Sequence, residues 1–275
     1  MPNPLFDYNK YKVTGGSSFS LAAMPSDDDQ GVSKDDARDV LKENRKRLDE
    51  MQERLYAESK QSVLLVLQAM DTGGKDSTIE SVTEGINPQG CIVSSFKKPT
   101  PEELAHDFLW RVHKKTPGKG MIGIFNRSHY EDVLIVRVHG WASPETIDAR
   151  YGHINEFEQL LAENGTRIVK IMLNISKEYQ LARLQRRLRR PDKLWKFNPG
   201  DLDERKLWDK YMEAYEVALQ RCSTDHAPWY VIPAERRTFR SAVISQILLD
   251  TLEDMNPEYP EPDFNPADYP PDSLV

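Results

Sequence analysis

A chain of 275 residues with 37 Lys and Arg against 44 Asp and Glu, a formal charge of −7, can bury a full core. It is too acidic overall for a general nucleic-acid binder. Its two cysteines, Cys91 and Cys222, make neither a metal-ligand spacing nor a disulfide framework. With no basic-then-apolar leader and no run near the roughly 18 apolar residues of a membrane span, a cytoplasmic protein without membrane partners is expected.

Residues 1–31 are mixed polar, with Gly15-Gly16 and Asp27-Asp28-Asp29, and predict an arm over the surface. Ser33 and Asp36 form a capping-box-like start. Leu41, Leu48, Met51 and Leu55 then recur at helical spacing through a charged segment. Gln61 to Gln68 encloses the apolar run Val63 to Leu67 and predicts a buried strand. A helix is expected from Ser77 to about Gly85, a strand over Cys91–Phe96, a helix over Glu102–Lys115 and a strand over Met121–Phe125. Leu134 to Val138 receives no element.

A helix from Pro144 to Glu163 precedes a strand from Arg167 to Ile175. The basic segment Lys177–Arg190 reads as helical up to Pro191, and another helix spans Asp201–Arg221. Trp229–Ile232 is the last strand and Arg237–Asp254 the last helix. From Asn256 prolines recur among acids, so that tail is expected to wrap or stay mobile rather than form a helix. Alternating strands and helices predict one three-layer α/β/α domain over 1–275 with a parallel sheet. Its parts are an arm and helix at about 1–60, a lid at about 183–210 and a tail at about 256–275. Ligands are expected at the carboxyl ends of the strands.

The chemistry concentrates at those ends. Ala69 to Ser77 reads AMDTGGKDS between the first strand and a helix, the architecture of a phosphate-binding loop. Gly73 and Gly74 let backbone N–H groups approach a phosphate, and Lys75 adds a full charge. Ala69 and Asp76 replace the usual first glycine and hydroxyl, Ser77 comes one position late, and Asp71 lies inside the loop. A carboxylate there is tolerable if it holds a metal or faces a nucleophile.

After the third strand, Asn126 to Asp132 offers Arg127 as a phosphate clamp and Glu131 and Asp132 as hard oxygen donors. Asp132 and Asp71 are the expected metal pair, and Asn126 stands where a Walker B carboxylate usually sits. Lys97 and Lys98 end the second strand, with Arg111 one helix away. Arg183, Arg186, Arg187 and Arg190 share one helix face, followed by Lys193 and Lys196 and opposed only by Asp192. Such a face needs an anion among its charges.

Together AMDTGGKDS, FKKPTPEELAHDFLWR, FNRSHYEDV and LWKFNPGD, followed by Arg205 and Trp208, resemble polyphosphate kinase 2 from about Lys34 to Met255. The resemblance implies a P-loop kinase fold with a helical lid. It implies Mg²⁺-dependent phosphoryl transfer, with Mn²⁺ able to substitute, between inorganic polyphosphate and a nucleotide. It also implies a homodimer or homotetramer. By similarity Asp71, Lys75, Arg127 and Asp132 are the catalytic set. Gly73, Gly74, Lys75, Asp76, Ser77, Arg183, Arg187, Lys193 and Lys196 are expected on polyphosphate. Lys97, Arg111, Asn126, Arg127 and Glu131 are expected on the nucleotide. Ala69 and Glu131-Asp132 resemble the subgroup (class III) that phosphorylates AMP as well as ADP, whereas Ser77 stands where glycine is frequent. The alternatives are an ATP-dependent nucleoside or nucleotide kinase of related fold and a non-catalytic polyanion-binding protein.

Overall fold

Five apolar runs make the sheet. In the computed structural model, which describes residues 5–270, they are β1 (Ser62–Gln68), β2 (Cys91–Ser95), β3 (Ile122–Asn126), β4 (Thr166–Asn174) and β5 (Trp229–Pro233). All pair in parallel, in the order β2-β3-β1-β4-β5. β1 is buried at every position, as a central strand covered on both faces must be. Leu67 stands opposite Asn126 and Gln68 opposite Met172, so the loops after β1, β3 and β4 leave the same edge. The chain passes from β1 to β2 across β3, and the crevice this reversal opens is where open α/β sheets take ligands.

Helices α1 (Lys34–Glu58) and α10 (Arg237–Met255) pack together on the sheet, where buried Asn44 donates to Ser245 and Gln246. Ser33 caps α1 as expected, its hydroxyl accepting from the Asp36 N–H. α2 (Lys75–Thr83) begins at the lysine of the glycine loop. The helix expected over Glu102–Lys115 is instead two single turns, α3 (Pro101–Leu104) and α4 (Trp110–His113). The Asp107 carboxylate accepts from the Leu109 and Trp110 N–H groups, ending one turn and starting the next. α5 (Ile135–Val138) is a further single turn, in a stretch with no predicted element.

α6 (Pro144–Glu163) and α7 (Lys177–Leu188) match their expected spans closely. A turn of 3₁₀-helix follows at Pro191–Lys196, and the helix expected from Asp201 is split into α8 (Gly200–Lys206) and α9 (Trp208–Cys222). The break falls at Leu207, whose φ of −93° and ψ of 14° leave the α region.

The arm is more than a surface strap. Phe6, Tyr11, Val13 and Leu21 are buried in the core, and Lys12 forms an antiparallel bridge to Tyr230 at the free edge of β5. The tail lies exposed beyond Pro257, with one short 3₁₀ turn at Pro266–Asp268 and the Tyr259 hydroxyl donating to Glu53 on α1. Residues 1–4 of the predicted arm and 271–275 of the predicted tail lie outside the described residues. Among the described residues no helix is long and apolar enough to cross a membrane.

Candidate active site

A cavity of about 640 Å³ opens at the carboxyl ends of β1, β2 and β3, under α7 and the 3₁₀ turn after it. The glycine loop forms its floor. Thr72 and Gly74 adopt positive φ, 65° and 96°, which turns the chain sharply from β1 into α2. Gly73 is required for a different reason: a Cβ there would lie 2.7 Å from the Ala69 Cβ. The Lys75 ammonium folds back to donate to the Ala69 carbonyl at 2.8 Å. Burial and the neighbouring Arg127 charge lower its pKa, with Asp71, Glu131 and Asp76 opposing.

Arg127 also has positive φ, 62°. Strain of this kind, of order 1–3 kcal/mol per residue, persists only where the surroundings fix it. Here Arg127 Nη2 donates to Asp71 Oδ1 at 2.9 Å, joining the loop after β3 to the loop after β1. The carboxylate inside the phosphate loop therefore has a cation of its own.

Asp76, in place of the usual hydroxyl, accepts from Asn126 Nδ2 at 2.8 Å and lies 3.8 Å from Lys196 Nζ. Gln180 on α7 donates to the Asp71 carbonyl, and Arg205 on α8 donates to Gln180 Oε1. The basic segment is thus tied to the floor it covers.

Eleven Lys and Arg side chains line the cavity against three carboxylates, Asp71, Asp76 and Glu80. Arg183, Arg186, Arg187, Arg190, Lys193 and Lys196 make one wall, with Lys97 and Lys98 among the remaining cations. Burial lowers the pKa of Arg183, and Arg237, Arg186 and Arg187 lower it further. An anion is what such a wall lacks.

Of the residues singled out by sequence, Asp71, Gly73, Gly74, Lys75, Asp76, Ser77, Lys97, Asn126, Arg127, Arg183, Arg187, Lys193 and Lys196 all line this cavity. Arg111, Glu131 and Asp132 do not. Arg111 is buried under the Phe96 ring and donates to the Lys97 carbonyl at 2.9 Å, so it supports the basic strand end from behind. Glu131 lies close enough to act on both Lys75 and Arg127. Asp132 turns the other way, its carboxylate 3.5 Å from Arg150, and burial raises its pKa against the pull of Arg150 and Arg111.

Sequence reading missed what anchors the loop after β3. His129, Tyr130, Glu158 and Lys170 are fully buried together. Tyr130 donates to Glu158 at 2.9 Å, and His129 Nε2 lies 3.1 Å from the same oxygen. Lys170 donates to the other Glu158 oxygen, to the Tyr130 hydroxyl at 2.8 Å and to the Cys222 carbonyl at 2.6 Å. The available signal was a lone lysine inside the apolar run of β4. Arg237 and Glu80 on the cavity wall, and Asp201 paired with Arg187, were also missed.

A parallel sheet with a glycine-lysine loop after its central strand and a basic helical segment above it defines a phosphotransferase of P-loop kinase-like fold. Residues 31–260 match the family described as Polyphosphate kinase 2 (PPK2), and the chain belongs to that family. It is 50% identical over 256 residues to the AMP/ADP-polyphosphate phosphotransferase of Meiothermus ruber, covering 92% of this chain and 96% of that protein. It is 42% identical to the ADP-polyphosphate phosphotransferase of Rhodopseudomonas palustris, covering 92% of each. Polyphosphate Kinase 2 from Arthrobacter aurescens TC1 superimposes with a TM-score of 0.92 at 45% identity, covering 96% of this chain and 95% of that one.

Proposed function

We propose that this protein transfers the terminal phosphate of inorganic polyphosphate to AMP and to ADP, reversibly, giving ADP and ATP. The observation that carries the reading is the excess of eleven cations over three carboxylates, running from the phosphate loop along α7, more than a triphosphate donor needs. The names of the relatives in Meiothermus ruber and Rhodopseudomonas palustris support the same donor and acceptors.

In this reading the terminal donor phosphate rests on the N–H groups of Gly73 and Gly74 and on Lys75, with the rest of the polymer along Arg183, Arg187, Lys193 and Lys196. Arg127 holds the acceptor phosphate. An acceptor oxygen attacks the terminal phosphorus in line as the bond to the bridging oxygen breaks, and the shortened chain keeps that oxygen and its charge. A nucleotide phosphate is largely ionised at neutral pH, so the step asks for no strong base.

Among the described residues no group of three or more His, Cys, Asp or Glu is arranged to hold a metal ion. Asp71 and Asp76 nonetheless present hard oxygens beside the loop, which fits Mg²⁺, or Mn²⁺ in its place, held by one or two carboxylates together with substrate phosphates. Bound there, the ion would neutralise charge developing on the phosphate oxygens.

The test is ³¹P NMR of the protein with polyphosphate, AMP and Mg²⁺ and no ATP. ADP and then ATP are expected to appear. Turnover of ADP alone would remove AMP from the reading. Silence with both acceptors, in folded protein, would turn the reading to an ATP-dependent kinase or a non-catalytic polyanion binder.

We also read the chain as a cytoplasmic homo-oligomer, dimer or tetramer. Both cysteines are free, which suits a reducing compartment. Ile92 and Val93 are about half exposed on the edge strand β2, a surface that monomers usually protect. Light scattering is expected to give at least twice the mass of one chain, and a monomer would overturn this.

A further inference from the structure

Arg240 occupies α10 directly beneath the phosphate loop and is 2% exposed. Its Nη2 donates to Ser77 Oγ at 3.2 Å, and its Nη1 reaches the Ala234 carbonyl only at 3.5 Å. Its Nε is buried without a hydrogen-bond partner. Among the described residues no carboxylate lies within ion-pair distance of this guanidinium. Among its neighbours Tyr179 acts on it most, followed by two further cations, Arg237 and Arg183, both on the cavity wall. Burial, with Arg237 and Arg183 adding to it, brings its pKa down to about 10 against the opposing pull of Tyr179.

A buried guanidinium without a counter-ion is costly to the free protein. Its position explains two features of the loop. A Cβ on Gly74 would sit 2.3 Å from Arg240 Nη1, so the guanidinium fills the space beneath the residue that caps α2. Ser77, which had no account from sequence, accepts from Arg240 and donates to the Gly74 carbonyl at 3.0 Å. Arg240, Ser77 and Gly74 thus form a chain of contacts ending at the backbone that receives phosphate.

We propose that Arg240 is a positioning residue for the phosphate donor: it holds Gly74 and Ser77 in the receiving shape, and its missing counter-charge is the phosphate chain bound in the loop. The inference rests on the polyphosphate reading above. A residue with this role destabilises the empty protein and stabilises the loaded one. A residue that only fills space would do the same for both states.

The experiment compares the parent, Arg240→Met and Arg240→Lys by thermal unfolding with and without sodium polyphosphate, and by steady-state kinetics. Without polyphosphate, Arg240→Met is expected to unfold at or above the parent temperature. Its polyphosphate-induced rise is expected to fall to less than half that of the parent. Its KM for polyphosphate is expected to rise about tenfold, the scale of one charge-assisted contact, with KM for AMP changed less than about twofold. Arg240→Lys is expected to restore most of the polyphosphate-induced rise. If Arg240→Met fails to fold, or is destabilised while its response to polyphosphate stays intact, the inference falls and Arg240 is a packing post. If polyphosphate does not stabilise even the parent, the reading beneath the inference fails and takes the inference with it.

Discussion

Replacing Asp71 by Asn is expected to lower kcat by at least about a hundredfold, the scale of losing a preorganised electrostatic group, while AMP binding weakens less than about threefold. The carboxylate does two things at once: it holds the guanidinium of Arg127, whose backbone has positive φ, at 2.9 Å and offers a hard oxygen donor to the cavity. Asparagine keeps the shape and loses the charge. Asp132→Asn is the paired experiment, with an expected loss below about tenfold, because that carboxylate faces Arg150 outside the cavity and acts on the site only by steadying its loop. Steady-state kinetics with calorimetric AMP binding separates the two. Equal losses would return Asp132 to the catalytic set, and near-normal turnover of Asp71→Asn would remove Asp71 from it.

The second large effect concerns stability. Lys170→Met leaves Glu158 buried without its cation, a change that costs about 3–5 kcal/mol where one partner of a buried pair is removed. At roughly 2–4 °C per kcal/mol for a large domain, the melting temperature is expected to fall by roughly 6–20 °C. Adding Glu158→Leu should recover much of that loss, since an apolar replacement of the whole pair is often close to neutral. Differential scanning calorimetry of the parent, the single and the double variant decides it. A double variant no better than the single would mean that packing, and not the stranded charge, sets the cost. The pH dependence has a definite sign. Burial opposes the Glu158 charge, but Lys170 and His129 more than offset it and hold the pKa below the ordinary carboxylate range. The stability this supplies is therefore present above the unfolded-state value of about 4.3 and is lost as pH falls through the folded value. The advantage of the parent over the double variant should shrink in acid.

Much of the site was legible because its signals are local. The glycine-lysine loop follows an apolar run, the polar cluster follows another, and four arginines recur on one helical face, so strand order alone brings them to one edge. What sequence could not resolve was direction within a tight turn. Glu131 and Asp132 are adjacent, and the 3₁₀ turn over His129–Asp132 sends one toward Lys75 and the other toward Arg150. Arg240 was hidden for the opposite reason: α10 is buried nearly all round, so an arginine in it carries no periodic signature. Long-range contacts were equally invisible. Nothing near Phe6 or Tyr11 announces that both rings pack edge-on against Phe239.

That last contact sets an order of events. The arm is made before any strand of the sheet, yet Val13 receives its hydrogen bond from Ser223, 210 positions later, and Phe6 and Tyr11 need a ring on α10. As the chain leaves the ribosome, β1 and β3 can meet while the arm still has nothing to join. Closing so long a loop is entropically slow, so a segment synthesised before the whole sheet is among the last to be seated.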